Sequence, residues 1–202
     1  AWPADIDPAG PHRGIDRGGF LDGIALFDAP FFRVSPAEAQ SMDPQQRLLL
    51  ELSWQAIEHA GHAPGTFAGS KTGVFIGASG SDYARLMDQA GSATEAHAGT
   101  GSAMAVLANR LSYFYDLTGP SLTLDTACSS SLVAVHEAVR SIASGECAQA
   151  LVGGINLILH PATSIAFYKS GMLSKDGLCK TFDASADGYV RSVLNIAPNE
   201  LA

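Results

Sequence analysis

The sequence predicts an α/β fold built on a mostly parallel sheet, and three observations predict it. Short apolar runs bounded by glycine or proline, "KTGVFIGAS", "PSLTLDTA" and "AQALVGGINLIL", read as strands. Around them lie stretches whose apolar residues recur at helical spacing, and strands alternating with helices favour parallel pairing. The 202 residues are 47% hydrophobic and only 16% charged, which is enough apolar side chain to bury a core.

Taken in order, residues 1–19 form a Pro/Gly/Asp-rich loop region, "AWPADIDPAGPHRGIDRGG". A compact domain rarely opens this way, so the chain is expected to be cut from something longer. "SMDPQQRLLLELSWQAIEHAG" reads as a helix marked at both ends. Asp43 is its N-cap, Pro44 its first residue, Gln46 the far side of a capping box, and Gly61 its stop. Leu49, Leu52 and Ala56 make one apolar stripe and Leu50, Trp54 and Ile57 a second, so the helix is expected to be covered on two sides.

"KTGVFIGAS" is a buried strand, and "GTGSAMAVLANRLSYFYDLTG" a helix whose small residues suit close packing. "PSLTLDTA" sets Leu122 and Leu124 against Thr123 and Asp125, the alternation of a strand. Leu132, Val135, Val139 and Ile142 then recur at helical spacing until Gly145. "AQALVGGINLIL" is a strand pair, or one strand kinked at Gly153-Gly154. "PATSIAFYKSGM" is a short helix stopped by Gly171. There is no internal repeat.

Composition excludes several classes of function. A net charge of -8, with acidic residues scattered along the chain, argues against nucleic acid held by phosphate neutralisation. No apolar run approaches the ~18 residues of a membrane span, and no basic-then-apolar signal opens the chain. The cysteines Cys128, Cys147 and Cys179 are odd in number and form no CxxC pair. That argues against a disulfide framework or a zinc site and for a reducing cytoplasm. "GSKTG", "GTGSAM" and "FDASADG" fall short of phosphate-loop, dinucleotide and calcium-loop patterns, and each reads as a turn.

Chemistry concentrates at Cys128, in "LTLDTACSSSLVAVHEAVRSIASG". It falls where a strand ends and a helix begins, where unpaired backbone N–H groups and the helix dipole favour negative charge. The thiolate is the nucleophilic form of cysteine. Ala127, Ser129, Ser130 and Ser131 are small enough for a sharp turn, and the nucleophile elbow of hydrolases uses the same strand–turn–helix mechanics. From position alone, a nucleophile and a buried structural cysteine stand equally open. His136 lies eight residues along the same helix, ~12 Å away on another face, and cannot serve as its base. His160 could reach a strand-end site but reads more simply as a surface residue, so no intrachain base is evident.

At "DTACSSSLVAVH" the sequence resembles the ketosynthase domains of modular polyketide synthases, relatives of fatty-acid β-ketoacyl synthases in the thiolase fold. "DPQQRLLLELSWQAIEHAG", "TGVFIGASGSDY", "ANRLSYFYDLTGPSLTLDTACSSS", "ALVGGINLIL" and "GMLSKDGLCKTFDASADGYVR" agree in order, from about Phe20 to Arg191. The resemblance implies a partial thiolase-like fold: the first half of a duplicated βαβαβ layer, with helices on both faces of a mixed, mostly parallel sheet. It implies that 20–191 is an incomplete β-ketoacyl synthase N-terminal-type domain, while the tail 192–202 departs from the family. Cys128 then matches the acyl-accepting nucleophile and supplies its own amide as an oxyanion donor, with Asp125, Thr126, Ala127 and Ser129 supporting the turn. No cofactor is bound; substrates arrive on the phosphopantetheine of an acyl carrier protein. A second copy, or the C-terminal half of a ketosynthase, is the other implied partner.

The sequence also departs from the family. Two family histidines assist decarboxylation and condensation, in motifs where histidine precedes glycine or ends an Asn-containing turn. No histidine here precedes glycine, and after "DGYVR" the chain reads "SVLNIAPNELA" where the family continues Gly-Glu-Gly. The match covers less than half of a ketosynthase, so the expectation is a chain that accepts an acyl group but does not condense alone. Two alternatives stand beside it: a non-catalytic dimerisation or carrier-docking fragment, and a cysteine thioester hydrolase. The hydrolase would need a histidine after an intervening acid, and His160 is the only one downstream of position 136.

Overall fold

The computed structural model describes residues 18–19 and 21–191; the readings made for residues 1–17 and for the tail lie outside the described residues. In chain order the elements are α1 (Pro36–Ser41), α2 (Pro44–His59), β1 (Thr72–Ala78), α3 (Asp82–Gln89), α4 (Ala98–Ser102), α5 (Val106–Phe114), β2 (Ser121–Leu124), α6 (Ser130–Ala143), β3 (Gln149–Ile155) and α7 (Ala162–Lys169). Residues 26–156 form one unit, and the described residues before 26 and from 157 to 191 group in another.

In the larger unit β1 lies between β2 and β3, and both pairings are parallel. Every residue of β1 is buried, as its unbroken apolar run requires of a strand covered on both faces. Val74, Ile76 and Ala78 point to the face carrying α2 and α5, where they pack with Leu49, Leu50, Leu107 and Leu111. Phe75 points to the opposite face and packs with Ala134 and Ala138 of α6 and with Cys147.

Helix α6 presents its small residues to the sheet. Its buried residues are Ser130, Ala134, Ala138 and Ser141. The larger apolar residues that recur at helical spacing, Leu132, Val135, Val139 and Ile142, are exposed, Leu132 by 74%. Both stripes satisfy the helical period, and the small one allows the helix axis closest to the sheet.

Four expectations are corrected. Asp43 caps α2 by accepting the Gln45 N–H at 2.8 Å, but Gln46 completes no capping box. The Asp43 amide already donates to the Gly101 carbonyl at 2.8 Å, so the Gln46 amide is free to donate to the Thr100 and Gly101 carbonyls, at 3.0 and 2.8 Å. Of the two stripes on α2, Leu49, Leu50 and Ile57 are buried, whereas Leu52 and Ala56 are exposed. The long helix expected over 99–119 is two, because Ala103 is extended (φ -69, ψ 124) and separates α4 from α5. Finally, β3 is one strand whose ladder to β1 runs unbroken from Gln149 to Ile155, so Gly153 and Gly154 mark neither a hairpin nor a bulge.

Buried polar groups around α2 are all engaged. Arg47 donates twice to the Met42 carbonyl, at 3.0 and 2.7 Å, and lies over the Tyr83 ring. Burial pushes the Asp43 carboxyl above its ordinary range, opposed by the hydrogen bond from Ser81 at 2.6 Å.

In the second unit, α7 stops at Gly171, which adopts φ +69 as expected. Residues 173–189 close into a loop through a Leu173–Tyr189 bridge, with Lys180 held between Asp176 at 2.9 Å and Asp187 at 2.6 Å. The Ser174 hydroxyl, and then Lys180, hold the Asp176 carboxyl down at about 2.

The two faces of α6 make opposite forecasts for two substitutions. Ala138→Leu overpacks the sheet contact and should lower the unfolding free energy by ~1–3 kcal/mol. Leu132→Gln should change it by no more than ~0.5 kcal/mol. Urea titration followed by circular dichroism measures both.

Candidate functional site

Cys128 sits just past the carboxyl end of β2, the end of a parallel sheet where loops gather functional groups. The chain leaves the strand at Leu124, makes a single 3-10 turn over Ala127–Ser129, and enters α6 at Ser130. Cys128 is exposed and carries a free thiol. The sequence therefore placed it at the right junction.

The turn is tight enough to force Ala127 to φ +56. A non-glycine residue there costs on the order of 1–3 kcal/mol and persists only where its surroundings over-determine it. Those surroundings are visible. Asp125 accepts the Ala127 N–H on its carboxylate at 2.9 Å. Ser130 accepts the Thr126 N–H at 2.9 Å and donates its own proton to the Ala127 carbonyl at 2.7 Å. The Ser130 amide donates to that same carbonyl. The Ser129 hydroxyl donates to the Thr126 carbonyl at 2.9 Å, which leaves Thr126 as donor in their 2.8 Å hydroxyl pair. None of these bonds uses the Cys128 amide or sulfur.

Asp125, Thr126, Ala127 and Ser129 flank Cys128 in this turn, and three further residues join them. Ser130 is buried at the base of the turn. Gly77 of β1 and Gly154 of β3 pair across the ladder beneath it. A Cβ on Gly77 would lie 2.5 Å from the Ser130 carbonyl carbon and the Ser131 nitrogen, and one on Gly154 would lie 2.7 Å from the Ser131 Cβ. Glycines inside strand patterns signal this kind of close backbone approach. That signal was present in "VFIGA" and "VGGI".

The other candidates separate from the turn. Cys147 is buried, with its thiol 3.4 Å from the Ser141 hydroxyl, as a structural cysteine would be. Cys179 accepts the Val190 N–H on its sulfur at 3.2 Å. His136 is exposed on α6, and His160 accepts the Ala162 N–H at the start of α7, at 3.2 Å. No cluster of metal-binding side chains and no helix long and apolar enough to cross a membrane occurs among the described residues.

A family model described as the beta-ketoacyl synthase N-terminal domain matches residues 5–192. The chain belongs to the β-ketoacyl synthase family. It is 54% identical over 175 residues to the polyketide synthase PksN of Bacillus subtilis, covering 87% of this chain and 3% of that one. It is 53% identical over 176 residues to a fatty acid synthase of Anser anser anser, covering 87% of this chain and 50% of that one. The chain therefore spans half or less of the length of these relatives. Among solved structures, the oxazolomycin ketosynthase domain OzmH KS7 of Streptomyces albus superposes with a TM-score of 0.80 at 43% identity, over 91% of this chain and 32% of that one. The three-stranded parallel sheet with helices on both faces is part of a thiolase-like ketosynthase fold.

The floor of this ketosynthase turn is testable on its own. Gly→Ala in a strand would ordinarily be neutral or stabilising through the unfolded chain. Gly77→Ala should instead destabilise by ~1–3 kcal/mol, because the new methyl meets backbone that cannot move aside. A urea midpoint equal to or above that of the unsubstituted chain would show that α6 does not rest there.

Proposed function

We propose that this ketosynthase N-terminal domain accepts acyl groups on Cys128 from the phosphopantetheine thioester of an acyl carrier protein. The observation that carries the reading is an exposed thiol set on a strained strand-to-helix turn in a β-ketoacyl synthase domain. The sulfur attacks the thioester carbonyl, forming a new carbon–sulfur bond. The bond to the pantetheine sulfur breaks, and the proton of the Cys128 thiol ends on the released pantetheine thiol. The Cys128 amide is one donor to the transient oxyanion, an interaction worth ~3 kcal/mol in other enzymes. Asp125, Thr126, Ala127 and Ser129 hold the turn and take no part in the bond changes. The reading assigns no bound cofactor.

Condensation needs more than the acyl-cysteine. In the family two histidines assist loss of carbon dioxide from a malonyl-type extender and attack of the resulting carbanion. No hydrogen bond of the turn around Cys128 involves a histidine. We therefore assign residues 1–202 the acyl-accepting part, with condensation dependent on the C-terminal half of a ketosynthase. The exposed stripe of Leu132, Val135, Val139 and Ile142 offers a surface for that half or for a second copy. The same stripe is what favours the second reading, a non-catalytic dimerisation or carrier-docking module. The free thiols accord with a cytoplasmic setting.

Incubation with a short acyl-pantetheine thioester should add one acyl mass to Cys128 by peptide mass spectrometry and none to a Cys128→Ala variant. Absence of that adduct leaves the docking reading. Release of free acid at steady turnover would point instead to a thioester hydrolase. The purified chain should also release no carbon dioxide from malonyl-pantetheine above the Cys128→Ala background; turnover would overturn the assignment of condensation to the other half.

A further inference from the structure

We propose that Ser130 is a positioning residue of this site, aiming the Cys128 amide at the acyl oxygen. The inference rests on Cys128 being the acyl acceptor and adds a residue to that reading. Its warrant is the geometry of one peptide plane. The Ala127 carbonyl and the Cys128 N–H belong to the same planar unit and, in a trans peptide, point in opposite directions. Whatever fixes the carbonyl therefore fixes the amide. Ser130 fixes it twice, through its hydroxyl at 2.7 Å and through its own backbone N–H.

The hydroxyl has no freedom to do otherwise. It is buried, with 5% of the residue exposed, and its single proton is committed to Ala127 while it accepts the Thr126 N–H at 2.9 Å. One oxygen thus ties the Asp125–Thr126 peptide unit to the Ala127–Cys128 unit, across the strained Ala127, whose φ is +56. Below it, the Ser130 backbone has no room to sink, because the Gly77 and Gly154 positions already lie at the limit of approach. With the carbonyl held toward α6, the Cys128 N–H faces away from the helix. A donor held in place before reaction is worth more than one that must reorient during it.

The test separates two reactions of the same sulfur. Thioester attack builds an oxyanion and needs the aimed amide, whereas alkylation by iodoacetamide builds none. In the whole 202-residue chain, Ser130→Ala should slow Cys128 acylation by acetyl-pantetheine about tenfold or more. Iodoacetamide labelling of Cys128 should stay within about twofold. Buried Cys147 reports loss of fold: molecules that label there during a brief iodoacetamide pulse are left out of the ratio. Equal acylation of Ser130→Ala and the unsubstituted chain would overturn the role of Ser130. So would an equal fall in both reactions, since Ser130 would then govern only access to the sulfur. Failure of the unsubstituted chain to acylate would remove the acyl-acceptor reading itself, a result distinct from both.

Discussion

The close approach of α6 to the ends of β1 and β3 governs the geometry around Cys128. Gly77 and Gly154 leave no space for side chains between the strands and the first turn of the helix, so the Ser130–Ser131 backbone rests directly on the sheet. With its start fixed so low, the chain has only Asp125–Ser129 in which to climb from β2 and turn into α6. That short path puts Ala127 in left-handed backbone, and a local network of side-chain to backbone bonds holds it there. The exposed sulfur of Cys128 stands at the top of a backbone fixed from beneath.

The same approach explains the orientation of α6. A helix brought this near to a sheet presents small side chains, here Ser130, Ala134, Ala138 and Ser141. Its larger apolar residues are left on the opposite side. In a self-contained two-layer fold that stripe would be a liability. The relatives extend well beyond the length matched here, and under the proposed function that face belongs to the rest of a ketosynthase or to a second copy.

Much of this was legible in the sequence. The continuous apolar run of β1, the Asp43-Pro44 start of α2, the Gly171 stop of α7 and the junction at Cys128 each followed from local chemistry that the structure retains. The family motifs added the thiolase-like fold. What periodicity could not decide was which of two stripes on α6 faces inward, because each repeats at the same interval. Gln46 misled because its capping-box spacing is local, whereas its actual partners, Thr100 and Gly101, lie more than fifty residues away. Ser130 was passed over as one more small residue. Its importance lies in a buried hydroxyl with two committed bonds, which sequence does not display.

The Ser130 hydroxyl locks the backbone leading into Cys128, at Thr126 and Ala127, while the Cys128 amide remains available. Amide hydrogen exchange reads that contrast directly, since Thr126 and Cys128 are two exposed residues of one short turn. The Thr126 amide, bonded to the Ser130 oxygen, should exchange at least about tenfold more slowly than that of Cys128. Equal, unprotected rates at both would mean that the turn is not held and that the account of this site is wrong.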